Sequence, residues 1–599
     1  MRKMLGLLLV VMLLLGLVPL AVYAVPATAY ADLAAYFPPE TSLYLAMGTS
    51  DDDIARLDVL LQMVAAAAPD EMPPGIRLVN LLDMGALEVT GEDFQNGMRS
   101  WLGDTLAFGL LDINSLLEAA MPRSADMAEP EVPPFLVAVD IIDRLAAERA
   151  VENLLTYANL GPLFTVVGGA SYTVFKSTDP SLNVSIVITA DALLLGDKDS
   201  TSRVLEQIGS PSLADEAGFT GALELLPADG YNLLFYVNAE QLTALALEQA
   251  IAEGVLTAEA VPPVTYPTMA LGVAVLDEQA LALDVVYPIG DLSNMAETAL
   301  VFQPLPPVDF AFARHIPADA LLTMQGSDLL ALFEMAGEGI EMGLLQFVEQ
   351  MAYMPEMDDL PPGFDFDPSE ILTDIEVTLA EFQQEFTAAT GLDIAQDILR
   401  WMDGNFAFFL SVNGEAALAD PMTEMPISIG SLVETSDPAA AQQAVAGLAT
   451  GLERLLADEE IGADEVTLER STIGAADVVL ITPVLDEGDP PVVLGFGADD
   501  QVFAEGTLEG LQAIFEPQGG GLAAAPRFIT AQQFMVAEPS ALFYFDIHTI
   551  LPTILAEADP YDLEDMELVF SLFQTMAVSG TTFDDGSSMA RVSIVLGTQ

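Results

Sequence analysis

The sequence predicts an α+β protein made of two tandem, diverged repeats, each of antiparallel sheets packed with amphipathic helices. Three observations predict it. Short apolar runs of strand length alternate with segments of helical period. Widely separated segments repeat one another in the same order. A proline-rich junction, Phe302-Gln303-Pro304-Leu305-Pro306-Pro307, lies between the two series and reads as a semi-rigid connector.

The chain opens with Met1-Arg2-Lys3, an uncharged apolar run from Met4 to Val18, and Pro19. Small residues follow at Val22-Tyr23-Ala24 and Ala29-Tyr30-Ala31. This three-part pattern predicts that residues 1–31 are a signal peptide cleaved after Ala24 or Ala31. The alternative is an uncleaved N-terminal anchor, since Met4 to Ala24 approaches the roughly 20 residues a spanning helix needs. Either way the chain is expected to be exported, to the extracellular space or the outer face of the cytoplasmic membrane.

The first unit is read over 32–295, the connector over 296–307 and the second unit over 308–599. In the first, Ser42 to Met47 reads as a short strand, and Asp52 to Ala67 as a helix. Tyr172 to Phe175 and Val184 to Ile188 read as an antiparallel pair, followed by strand Ala192 to Leu195 and a helix through Val204 and Ile208. Met269 to Leu276 and Ala280 to Tyr287 read as a hairpin.

The self-similarity centres on the two tryptophans. Thr90-Gly91-Glu92-Asp93-Phe94, Met98 and Trp101 recur 300 residues later as Thr390-Gly391-Leu392-Asp393-Ile394, Ile398 and Trp401. Ile394, Ile398 and Trp401 fall on one helical face, with Thr or Asp as the expected cap at its start. Phe135 to Val139 matches Ile429 to Val433, and Ala150-Val151 matches Ala444-Val445. Leu234 to Asn238 matches Leu542 to Asp546, and Thr268-Met269-Ala270 matches Thr575-Met576-Ala577. The spacing drifts, as it does when loops change length while elements persist. A period near 300 residues is far above the roughly 20–50 of solenoids.

The segment from Thr390 through Trp401 to Phe408, and the opening Pro317-Ala318-Asp319 before a strand, resemble the core signature of the bacterial domain-of-unknown-function 3352 family (DUF3352). Members of that family look like exported or membrane-anchored proteins with no assigned activity. The resemblance therefore implies address and architecture, and supplies no catalytic residues. The first unit departs from the signature at Glu92 and Phe94.

Composition narrows the functional classes. Against 91 acidic residues there are 17 basic ones, a net charge of −74, and after Lys3 the only lysines are Lys176 and Lys198. Such a field repels nucleic acid and anionic membrane surfaces, so nucleic-acid binding is excluded. The charge is spread along the chain and fits a solvated surface, salt adaptation or divalent-cation binding. With no cysteine, disulfides, thiolate catalysis and a lipid-bearing N-terminal cysteine are excluded. At 52% hydrophobic residues the chain lacks the composition of a disordered one.

Few residues invite chemistry. His315, beside Arg314, reads as a surface or turn residue, and His548, after a strand, as a helix-start residue. Asp358, Asp359, Asp365, Asp367 and Glu370 share a loop and form the one calcium candidate, though they lack the glycine spacing of an EF-hand. Asp51-Asp52-Asp53 reads as helix capping, and Asp499-Asp500 as a hairpin turn. No phosphate-binding loop, zinc-protease or nucleophile-elbow motif is present. Methionines and phenylalanines such as Met335, Met342, Phe347, Met351 and Met354 stand at helical spacing, which suits core packing or an adaptable apolar lining.

The expected function is that of a non-catalytic extracytoplasmic structural or interaction protein, without cofactor, whose partner is a cell-envelope protein. The alternative is a carrier for a lipid or other apolar ligand. A hydrolase using paired carboxylates comes third. No feature of the sequence sets an oligomeric state.

Overall fold

The computed structural model describes residues 26–51, parts of 54–65, 75–112, 134–169, 171–179, 182–227, 230–238, 251, 268–276, 279–288, 304–333, 368–412, 427–457, 466–484, 492–549 and 573–597. It is a mixed α+β structure whose strands all join one antiparallel sheet of twenty strands among the described residues. The first ten are β1 (Leu43–Gly48), β2 (Leu102–Leu110), β3 (Phe135–Ile141), β4 (Phe164–Gly168), β5 (Thr173–Ser177), β6 (Ser185–Ile188), β7 (Ala192–Gly196), β8 (Leu233–Val237), β9 (Met269–Leu276) and β10 (Ala280–Tyr287). The rest are β11 (Ala320–Gly326), β12 (Phe406–Val412), β13 (Ile427–Glu434), β14 (Val466–Ile473), β15 (Ala476–Pro483), β16 (Leu494–Ala498), β17 (Val502–Thr507), β18 (Ala541–Asp546), β19 (Phe573–Thr582) and β20 (Ser588–Leu596).

Across the first half the pairing order is β4-β5-β6-β7-β3-β2-β1-β8-β9-β10. Strand β10 then pairs with β20. The order continues β20-β19-β18-β11-β12-β13-β17-β16-β15-β14. The hairpin expected at 269–287 forms as β9 and β10, and the pair expected near 172–188 as β5 and β6. Joining the segments before and after the connector into one sheet had no local signal. Alternation assigns a residue to a face and says nothing about which distant strand lies beside it.

Helices cover both faces, because the strands present apolar residues on both. On one face, α1 (Leu78–Thr90) and α2 (Arg144–Tyr157) bury Leu82, Ala86, Ala147, Val151 and Leu155 against Met47, Leu106, Val137 and Val139. The helical residues described within 51–65 add Ile54 and Leu61. On the other face, the N-terminal turns of 27–34, α3 (Lys198–Gln207) and α4 (Ala217–Leu225) close a core around Tyr30, Tyr44, Phe219 and Tyr236. The second half is arranged alike. Helices α5 (Pro368–Thr390) and α6 (Pro438–Ala457) lie on one face over Trp401 and Val433. Helices α7 (Leu508–Phe515) and α8 (Pro526–Gln532) lie on the other over Phe409, Leu432 and Tyr544. Among the described residues no helix is long and apolar enough to cross a membrane.

Candidate functional site

The tryptophan-centred signature builds one joint in each half. Thr90 Oγ1 donates to the Ala86 carbonyl at 2.7 Å, and Thr390 Oγ1 to Phe386 at 2.7 Å. Both threonines therefore end the preceding helices, α1 and α5, rather than starting the next one. Gly91 and Gly391 follow with φ of 77° and 78°, the left-handed C-cap conformation that glycine adopts without steric cost. Asp93 then accepts the Asn96 N–H at 2.7 Å, and Asp393 accepts Gln396 N–H at 2.9 Å. These are the caps the spacing implies. They open single π-helical turns at Phe94–Met98 and Ile394–Ile398, not the regular α-helix expected from the i, i+4, i+7 pattern. The Asn96 contacts hold the Asp93 carboxyl below its ordinary pKa, the backbone N–H first and the side chain second.

Trp101 and Trp401 are both buried under these turns but differ in one bond. Trp401 Nε1 donates to the Asp397 carbonyl at 2.8 Å. Trp101 Nε1 is buried with no acceptor among the described residues. It borders an apolar cavity of about 50 Å³ that Met47, Ile54, Leu82, Phe94 and Val139 also line.

A second joint braces the backbone at the start of β2 and just before β12. Asp140 Oδ2 accepts the Asp104 N–H at 2.9 Å. Glu434 Oε2 accepts the Asn405 N–H at 3.3 Å and Asn405 Nδ2 at 2.7 Å. Neither acid was singled out in the sequence, although each ends or nearly ends one of the two similar strand segments, β3 and β13. Burial raises the Asp140 pKa, the backbone N–H of Asp104 opposing it.

The sheet's middle holds the charged cluster that sequence reasoning missed. Asp284 on β10 stands opposite Arg591 on β20. Arg591 donates through Nε to Oδ1 at 2.6 Å and through Nη2 to Oδ2 at 2.7 Å. The Arg591 and Asp284 side chains are 4% and 0% exposed. Tyr231 donates its hydroxyl to Asp284 Oδ2 at 2.5 Å. Desolvation first, and then the Asp284 charge, push the Tyr231 hydroxyl pKa far above its ordinary value. Two parallel bonds to one carboxylate make this a bidentate pair, the strong form of the interaction. Set among the mostly apolar residues of β10 and β20, each of the two looks, in sequence, like an ordinary polar interruption.

The remaining candidates resolve as follows. His315 is buried, not a surface residue: it closes the 3-10 segment Phe310–His315 and packs on Phe312. Desolvation lowers its pKa. His548 sits in the first helical turn after β18, where Asp546 Oδ1 accepts the Thr549 N–H at 3.0 Å. Asp499 turns the β16–β17 hairpin by accepting from Gln501 and Val502 N–H. Asp51 pairs with Arg99 at 2.9 Å. Asp358, Asp359, Asp365 and Asp367, with Met335 to Met354, lie outside the described residues, and only the backbone of Glu370 is described, in α5. Among the described residues no group of three or more potential metal ligands converges.

Fold and sites together define an α+β protein on one long antiparallel sheet, covered by helices on both faces and held at its middle by a buried ion pair. The profile of a family of proteins of unknown function, DUF3352, matches residues 79–597, and the chain belongs to that family. No curated protein and no solved structure matches it.

Proposed function

We propose that the protein is a non-catalytic structural or interaction protein of the cell envelope, and that a partner protein adds an extended segment alongside β4. The observation that carries this is the contrast between the two ends of the sheet. Exposed sheet edges invite another strand unless charge guards them. At one end β14 exposes Glu469 and Arg470, and Arg470 bonds Glu453 at 2.8 Å. At the other end β4 carries no charge, exposes Val166 and Val167 at 56% and 58%, and has no strand on its outer side among the described residues. Strand addition there would satisfy the free backbone groups and cover both valines. The chain's net charge of −74 favours a partner segment flanked by basic residues.

Lys176 on β5 lies opposite Thr165 on β4, so an amine-reactive cross-linker reports on this edge. With the full chain in an envelope fraction of its own cells, cross-links should form from Lys176 to one partner and disappear with Val167→Lys. Cross-links unaffected by that substitution would remove β4 from the proposal.

The finer architecture we propose is two tandem copies of one unit, joined at β10 and β20. Three features support it: the pairing order reads alike outward from that junction, the Thr-Gly-Asp joints match in bonds and in the glycine dihedrals, and Asp140 and Glu434 brace the backbone at the starts of β2 and β12. The carrier reading stays second, favoured by the cavity beside Trp101. A drug-sized ligand needs roughly 300 Å³ or more, so loading would require the helices above it to move. Native mass spectrometry before and after organic extraction tests this, a lost apolar mass being the carrier's signature.

A further inference from the structure

We infer that the Asp284–Arg591 pair selects the partner of each half: it lets the first half join the second and forbids either from joining a copy of itself. The inference rests on the two-copy reading proposed above. Thr268-Met269-Ala270 and Thr575-Met576-Ala577 match at a spacing of 307 residues. The same spacing carries Asp284 onto Arg591, and carries Gly272, opposite Asp284, onto Ser579, opposite Arg591. Asp284 and Arg591 are thus the same position of the two copies. They are also directly opposite each other across β10 and β20, so that position lies on the local two-fold axis relating the halves.

A residue on such an axis meets its own equivalent. If β10 paired with a second β10 in this register, Asp284 would face Asp284. If β20 paired with a second β20, Arg591 would face Arg591. Either arrangement sets two like charges against each other in place of the Asp284–Arg591 pair, between a core that includes Ala282, Val286 and Met589 and one that includes Ala280 and Val595. Only the mixed arrangement neutralises the site. The surroundings have diverged to suit it. Tyr231 occupies the space beside Gly272, where a Cβ would collide with its ring, and spends its hydroxyl on Asp284. Ser579 instead accepts the Val536 N–H at 3.0 Å.

Two substitutions in the full chain reproduce the forbidden arrangements: Arg591→Asp places acid against acid, and Asp284→Arg places base against base. Hydrogen–deuterium exchange read by mass spectrometry should show amides of 280–287 and 588–596 exchanging about 100-fold faster or more in both variants, the scale expected for an uncompensated buried charge. Strands β5 to β7 and β15 to β17 should keep their protection. The reversed pair, D284R/R591D, should restore protection at the junction. Unchanged exchange in the single variants, deprotection of the whole chain, or no rescue by the reversal would each overturn the inference. Failure of the two-copy reading would show separately, as halves that do not superpose in an experimental structure.

Discussion

The two tryptophans offer a paired experiment in which size cancels and one hydrogen bond remains. Trp→Phe at either position removes similar volume beneath the same kind of π-helical turn. At Trp401 it also removes the 2.8 Å bond from Nε1 to the Asp397 carbonyl, a net loss of about 1 kcal/mol. At Trp101 the lost N–H has no acceptor, so its removal relieves a desolvation cost of about 1–3 kcal/mol. The difference should therefore be about 2–4 kcal/mol, with Trp401→Phe the more damaging. Urea denaturation of both variants, followed by circular dichroism and by fluorescence of the tryptophan that remains, measures it. The reasoning is refuted if Trp101→Phe costs as much as Trp401→Phe.

Three further outcomes are expected. Gly391→Ala should cost about 1 kcal/mol, the penalty of a left-handed residue with a Cβ, because nothing lies within 4 Å of the added atom. Gly91→Ala should cost more, since its Cβ would stand 3.1 Å from the Tyr157 ring; thermal melts compare the two. Asp393→Ala should lose about 1 kcal/mol as an N-cap, seen as faster exchange at Gln396 N–H. Burial, the largest cause, lowers the His315 pKa below its ordinary value of 6.5. As pH falls below 6.5 the unfolded chain takes up this proton before the folded one does, so His315 lowers stability from there down to its own folded pKa. His315→Gln should remove that contribution, leaving the variant less sensitive than wild type to a shift from pH 7.5 to 5.5 in urea midpoints.

Much of the local structure was legible because short apolar runs mark strands. The two runs in 269–287 give a hairpin, and Leu542 to Asp546 gives β18, since a sheet covered on both faces needs strands that are apolar on both. The Thr-Gly-Asp spacing marked a helix end and a cap, but could not distinguish a π-helical turn from an α-helical one, because both place Trp401 on the inner side. The β10–β20 junction was not legible. Asp284 and its partner Arg591 are 307 residues apart in the chain, and their opposite charges hide the equivalence we propose for them, because any search for likeness scores them as a mismatch. The guarded and unguarded edges were hidden for the same reason: nothing within Phe164–Gly168 says that it comes last in the sheet.

The chain's lack of cysteine makes the central claim, one sheet continuous through β10 and β20, directly testable by cross-linking. Leu283 lies opposite Val592, and both are partly exposed. Opposed positions in an antiparallel pair bring Cβ atoms within reach of a disulfide. The full chain carrying Leu283→Cys and Val592→Cys should form an intramolecular disulfide under mild oxidation, while Leu283→Cys with Ile594→Cys, two residues out of register, should not. Failure of the first pair to close, or closure of the second in its place, would contradict the account.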